Sequence, residues 1–309
     1  MATSEKNQKA QQPPYYFLLG LLSAMRGYNI LTVVIAQYLA SVFVFKANES
    51  VATVVFDVDL FLTVLSTSLV IAGGYIINDF YDAELDRINK PLKLRIDNLV
   101  SQGLKLKIYF LCNALGFFIS GIVSWRAALF FASYIFLIWL YSHKLKKRPW
   151  LGWISASSLA MMPFFVIFVY HKYIAEVVFI HAAFLFFILS IRELVKDLEN
   201  IKGAFALNYR TIPVLYGERV TKSVITLLVL IALNPVYLLW GYPEIGAMKY
   251  YFYLVFISFF IFLVLLWKGH SKRAYRLLHN ILKFLIVLGV FSLSLIDTSV
   301  IISRILEKI

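Results

Sequence analysis

One cysteine, Cys112, is all that 309 residues contain, so neither an intrachain disulfide nor a cysteine metal site can form. Histidine is nearly as sparse. The five present (His143, His171, His181, His270 and His279) show no ligand spacing such as His-x3-His and read as packed or interfacial residues. Charge is scarce as well: Asp, Glu, Lys and Arg make up 15% of the chain against 61% hydrophobic residues. A soluble domain is nearer half apolar and a quarter charged, so the balance indicates an integral membrane protein. Acidic residues are the scarcer sign, 17 against 30 basic, for a net charge of +13. In a soluble protein that excess would suggest nucleic acid. Here the basic residues flank apolar runs, which points to topology and an anionic substrate, and no nucleic-acid partner is expected.

Nine apolar stretches are long enough to cross a bilayer as helices, at about 16–45, 58–78, 104–123, 126–142, 150–170, 174–192, 220–240, 250–267 and 280–302. The fold class is therefore all-α, a polytopic bundle of nine transmembrane helices with a cytoplasmic polar cap. Residues 1–14 are polar, carry no cleavable signal and are expected as a short disordered cytoplasmic tail; residues 15–309 form one transmembrane domain. The N-terminal segment and the loops after spans two, four, six and eight, with the adjoining span ends, hold twenty-three basic residues, while the opposite side holds six. That asymmetry predicts a cytoplasmic N-terminus and a C-terminus on the other side, in a bacterial inner (cytoplasmic) membrane.

Two of the basic loops, about 79–103 and 193–219, are longer than connections without a role usually are. The first carries Asn78-Asp79-Phe80-Tyr81-Asp82-Ala83-Glu84-Leu85-Asp86. On a helix, Asp79, Asp82 and Asp86 fall within an arc of about 60°. Like charges so close repel, and a divalent cation between them would resolve the repulsion. The second loop repeats the spacing 118 residues later with Asp197, Asn200 and Ala204. The offset suggests that spans two to five correspond to spans six to nine as a parallel repeat. Glu193, one turn before Asp197, shares its face. Oxygen ligands backed by Lys and Arg suit Mg²⁺ bound to phosphate, and an apolar bundle beneath suggests a lipid diphosphate. Arg26 and Asn29 lie inside the first span, where an ionised side chain is costly and usually functional. A solvated acidic helix end paired with Arg87, Lys90 and Lys93 is the plain alternative for the first stripe.

Asn78-Asp79-x2-Asp82-x3-Asp86-x2-Asn89-Lys90-Pro91 resembles the first signature of the UbiA-type intramembrane prenyltransferases. Arg192-Glu193, Lys196-Asp197, Gly203 and Arg210-Thr211-Ile212-Pro213 look like the second. Arg26-Gly27-Tyr28-Asn29 resembles the Arg-x-x-Asn of the family's first helix, and Tyr141-Ser142-x-x-Leu145-Lys146 the element after helix four. The resemblance runs from about residue 20 to the end and is most like the geranylgeranylglycerol-phosphate geranylgeranyltransferases. It implies that Asp79, Asp82 and Asp86 bind one Mg²⁺ with Asn78 beside them, and that Asp197, helped by Glu193, serves a second. It further implies that Arg26, Lys146 and Lys196 contact the diphosphate, with Asn29, Tyr141, Arg192 and Asn200 completing the substrate contacts. Two departures stand out: Asn200 and Ala204 replace acidic residues, and Leu92-Lys93-Leu94-Arg95 replaces an Arg-Pro pair.

The function expected is Mg²⁺-dependent transfer of an isoprenyl group from a prenyl diphosphate to a lipophilic acceptor, geranylgeranylglyceryl phosphate first among them. An aromatic quinone precursor is the alternative acceptor. A weakened or non-catalytic member that only binds a lipid or cation is the alternative class. Membrane lipids are the remaining partners, and the sequence leaves the oligomeric state open.

Overall fold

The computed structural model describes residues 14–46, 49–171 and 176–296, and every element among them is helical. The tail expected over 1–14 lies, but for Pro14, outside these residues, as does the end of the last expected span. The main helices are α1 (Pro14–Met25), α2 (Gly27–Ala40), α3 (Val58–Asn89), α4 (Pro91–Asp97), α5 (Gln102–Val123) and α6 (Trp125–His143). The chain continues with α7 (Pro149–His171), α8 (Glu176–Glu199), α9 (Ile201–Ala206), α10 (Ile212–Trp240), α11 (Lys249–Lys268) and α12 (Lys272–Ser292). Nine helices among the described residues are long and apolar enough to cross a membrane.

Three boundaries differ from the sequence reading, each for a local reason. The first span is two helices, because Arg26 adopts a left-handed backbone (φ 51, ψ 54) that no α-helix continues through. The second span does not stop at residue 78. Its helix, α3, runs 32 residues, about 48 Å against a hydrocarbon core of about 30 Å, and so carries the acidic stripe beyond the apolar layer. Asp57 starts it by accepting from the backbone N–H groups of Asp59 and Leu60, and Pro91 ends it by excluding the helical conformation at Lys90. The last span opens at Lys272, eight residues earlier than expected, where Ser271 caps the N–H of Ala274.

Two apolar cores divide the bundle. One joins α2, α3, α6 and α7; the other joins α8, α10, α11 and α12. α8 begins 118 residues after α3, and α10 ends 117 residues after α5, which supports the repeat suggested by the two loops. Two polar side chains inside the apolar layer bond across helices, where no water competes. Pro163 within α7 has no N–H to offer the carbonyl of Leu159, and the Tyr134 hydroxyl donates to it instead at 3.1 Å. Gln37 Nε2 donates to the Pro163 carbonyl at 2.9 Å and to Thr67 Oγ1 at 3.2 Å, tying α2, α3 and α7 together.

Candidate active site

The stripe on α3 is split between two neighbours. Asp79 and Asp86 are about 20° apart on the helix, and both turn toward α4 and α5. Each is only 5% exposed. Lys93 Nζ, from α4, lies 2.6 Å from Asp79, 3.1 Å from Asp86 and 2.6 Å from Asp97. Lys105, fully buried on α5, adds a 3.1 Å bond to Asp79, and the Ser23 hydroxyl donates to Asp97 at 2.7 Å. Burial opposes the charged form of Lys93, but Asp79, Asp97 and Asp86 outweigh it and hold the ammonium above the ordinary lysine range.

Asp82 sits at the other edge of the arc with Asn78, one turn before it. Asn78 Nδ2 donates to Asp82 Oδ2 at 2.9 Å, and Lys146 Nζ, on the turn after α6, donates to Asp82 Oδ1 at 2.6 Å. The three carboxylates are thus divided between two lysine partners, Asp79 and Asp86 on Lys93 and Asp82 on Lys146. Among the described residues no three of His, Cys, Asp and Glu converge as a metal-holding group.

Across the site, α8 presents Arg192, Glu193, Lys196 and Asp197. Glu193 is held by Lys196 at 2.6 Å and Arg192 at 3.1 Å, so its carboxylate is paired with two cations of its own helix. Asp197 makes no ion pair or hydrogen bond among the described residues, only the longer-range interactions with Lys196 and Glu193. The Tyr141 side chain senses both walls at once: Asp82 on one, and Lys196, Glu193 and Asp197 on the other. Arg26 stands over the Tyr75 ring at 4.9 Å, within the fields of Asp82 and Asp86, and Asn29 Nδ2 donates to the Tyr75 hydroxyl at 3.1 Å. Burial first, then the cations Lys196 and Arg26, push Lys90 below the ordinary lysine range, the signature of positive charge crowded around one space.

The stripe expected through Asp197, Asn200 and Ala204 does not exist as one helix face. α8 ends at Glu199, and Asn200 turns the chain into α9. The turn is fixed by α3: Asn89 Nδ2 donates to the Asn200 carbonyl at 3.1 Å, and the Gly203 N–H donates to Asn89 Oδ1 at 3.3 Å. A Cβ on Gly203 would collide with Asn89 Nδ2, so only glycine permits this approach. Ala204 is buried, and so is Asn200, whose Oδ1 has no partner.

Lys93, Asp97 and Lys105 were not among the residues singled out by sequence for the site. Lys93 and Asp97 are spaced i, i+4, which is the one signal that could have paired them, but α4 reads as a loop in an apolarity scan.

The hard oxygen donors of the two walls (Asp82, Asp197, and the amide oxygens of Asn78 and Asn200) are of the kind that suits Mg²⁺ shared with phosphate oxygens. The orphaned Asn200 Oδ1 and unpaired Asp197 are the observations that favour it. Nine membrane-length helices among the described residues, with acidic and basic side chains gathered at one polar end, define the class of an intramembrane protein built to hold an anionic ligand. Residues 34–289 match the UbiA prenyltransferase family, and the chain belongs to that family. It is 27% identical over 238 residues to digeranylgeranylglyceryl phosphate synthase of Methanobrevibacter smithii, covering 71% of this chain and 80% of that one. The fold resembles a solved digeranylgeranylglyceryl phosphate synthase with a TM-score of 0.66 at 22% identity, covering 89% and 96% of the two chains. It also resembles a UbiA homologue from Archaeoglobus fulgidus bound to DMAPP and Mg²⁺, with a TM-score of 0.64 at 18% identity over 89% and 99%.

Proposed function

We propose that this chain is a Mg²⁺-dependent prenyltransferase that joins the isoprenyl group of a prenyl diphosphate to geranylgeranylglyceryl phosphate. The observation that carries the reading is the pair of facing walls, Asn78–Asp82–Lys146 and Lys196–Asp197, with Tyr141 between them. Relatives named for digeranylgeranylglyceryl phosphate synthesis favour a glyceryl hydroxyl over an aromatic carbon as acceptor. Bound there, Mg²⁺ would neutralise charge on the diphosphate and make it a better leaving group.

The residues' own work follows from their positions. Lys146, Lys196 and Arg26 bind the diphosphate oxygens and take up the charge that grows as the C1–O bond breaks, its electron pair leaving with diphosphate. Tyr75 and Tyr81, over which Arg26 and Lys146 lie at 4.9 Å and 5.7 Å, offer ring faces to the positive charge left on the allylic carbon. The glyceryl oxygen then forms the new C–O bond, and its proton passes to the departing diphosphate. The metal ligands we assign are Asp82 and Asp197 with Asn78 and Asn200; Asp79 and Asp86 position α3 through their lysines. We place this polar end on the cytoplasmic side, with the N-terminus, on the strength of the basic asymmetry of the loops.

The test is the purified protein in nanodiscs with geranylgeranyl diphosphate, geranylgeranylglyceryl phosphate and Mg²⁺, with product mass and diphosphate release measured together. Coupled product that disappears with EDTA and in Asp82→Ala supports the reading. Equal turnover in Asp82→Ala, or no product from any prenyl donor, overturns it.

A further inference from the structure

α8 and α12 run antiparallel, and their contacts fix a register. Arg276 Nε of α12 bonds Glu199 Oε1 of α8 at 3.1 Å. Stepping one turn inward on both helices sets His279 opposite Lys196, and a further turn sets Lys283 opposite Arg192. The outermost rung is an ion pair; the innermost is two cations facing each other at the edge of the apolar layer, level with Asn78 on α3. Lys283 is eleven residues beyond Lys272, about 16 Å along α12. It is half-buried, and its ammonium lies 5.7 Å from the Tyr28 ring of α2 with no carboxylate bonded to it. An ammonium facing a second cation, with no carboxylate bonded to it, is placed to take an anionic ligand.

The nitrogens around it are short of partners too. His279 Nδ1 and Arg192 Nε are both buried and make no hydrogen bond. Among the charges that act on His279 (Arg192, Lys283, Glu193 and Lys196) the single carboxylate is Glu193, already bonded to Arg192 and Lys196. Three cations against one carboxylate leave two positive charges. A phosphomonoester carries about −1.5 to −2 at neutral pH, which balances them.

Its level in the bundle fits a glycerol acceptor. Asp82 lies seven residues before Asn89, about 10 Å along α3, and Lys272 reaches the Asn89 carbonyl. Lys283 is therefore about 6 Å deeper than Asp82. That step matches a glycerol with its phosphate down at Lys283 and its free hydroxyl up beneath the diphosphate.

We infer that Lys283, Arg192 and His279, between α12, α8 and α2, form a second anion site that binds the phosphate of the glyceryl phosphate acceptor, apart from the diphosphate site at Asp82 and Lys146. The inference rests on the proposed prenyl transfer and adds to it the residues that select a phosphorylated acceptor. Lys283 is a specificity residue; it touches no reacting bond.

The test uses the full chain in phosphatidylcholine nanodiscs, with Lys283→Met as the variant and Lys283→Arg as the conservative control. Losing a charge-assisted bond in a dry site should raise KM for geranylgeranylglyceryl phosphate about tenfold or more, while KM for the prenyl diphosphate stays within about twofold. With the unphosphorylated acceptor geranylgeranylglycerol, wild type and Lys283→Met should perform alike, and Lys283→Arg should keep the preference for phosphate. Direct binding of geranylgeranylglyceryl phosphate, without donor or Mg²⁺, supplies a readout independent of turnover. Binding by wild type but not by Lys283→Met supports the site even if no transfer is detected, which separates it from the proposed reaction. Equal binding by both, an equal rise in both KM values, or an effect present only in bilayers of anionic lipid overturns it.

Discussion

Lys93 is the residue whose removal should cost the cap most. Its ammonium bonds Asp79 at 2.6 Å, Asp86 at 3.1 Å and Asp97 at 2.6 Å, and Asp97 is fully buried. In Lys93→Met, Asp79 keeps Lys105 at 3.1 Å and Asp86 keeps only Lys90 at 3.9 Å. Asp97 keeps the Ser23 hydroxyl but no cation among the described residues. Breaking a buried pair by removing one partner costs about 3–5 kcal/mol, and the 23% exposure of the Lys93 side chain puts this case at the lower end. At about 2–4 °C per kcal/mol the melting temperature should fall by on the order of 8 °C. Cys112, buried and the one thiol in the chain, allows the unfolding to be followed with a thiol-reactive fluorophore in detergent. Adding Asp97→Asn to the variant removes the stranded carboxylate but keeps an acceptor for Ser23, and should recover about 1–2 kcal/mol. Two results would refute the reasoning. One is a shift below about 2 °C, which is less than 1 kcal/mol on the same scale. The other is full recovery of Lys93→Met by millimolar Mg²⁺ with no effect on wild type, which would make Asp79 and Asp86 metal ligands after all.

The two edges of the α3 stripe should separate in the same assays. Asp79→Asn and Asp82→Asn should both lower the melting temperature, since each takes a charge partner from a buried lysine, but Asp79→Asn spares part of the Mg²⁺-dependent transfer whereas Asp82→Asn abolishes it. Gly203→Ala forces Asn89 away from the Asn200 turn, so stability should drop by about 1–3 kcal/mol, read as a lower melting temperature, with activity falling alongside. Arg26→Gly relieves a left-handed residue worth about 1 kcal/mol and gives up a cation–π contact of similar size with Tyr75, so melting is unchanged while KM for the prenyl diphosphate rises. Gln37→Leu removes the bonds to Thr67 and the Pro163 carbonyl, and calorimetry should register a loss of about 1 kcal/mol, two bonds at the average of about 0.6 kcal/mol between membrane helices.

What the sequence made legible and what it hid follow from range. Hydropathy needs only a window of neighbours, so nine spans and their loops could be read directly, and the acidic stripe could be seen because its spacing is a property of one helix. The partition of that stripe could not. Whether Asp79 or Asp82 faces the ligand depends on where Lys93, Lys105 and Lys146 arrive from α4, α5 and the turn after α6, and those contacts span up to 64 residues. The same limit explains the second loop. The i, i+3, i+7 spacing of Asp197, Asn200 and Ala204 is real as a pattern, but Asn89, 111 residues earlier, bonds the backbone at Asn200 and ends the helix that would have made the pattern a face. The two acidic positions that this wall lacks are therefore not equivalent. Once the helix ends at Glu199, Asn200 and Ala204 no longer extend the face of Asp197, and of the two only Asn200 keeps an unbonded oxygen, a hard donor of the kind a divalent cation takes.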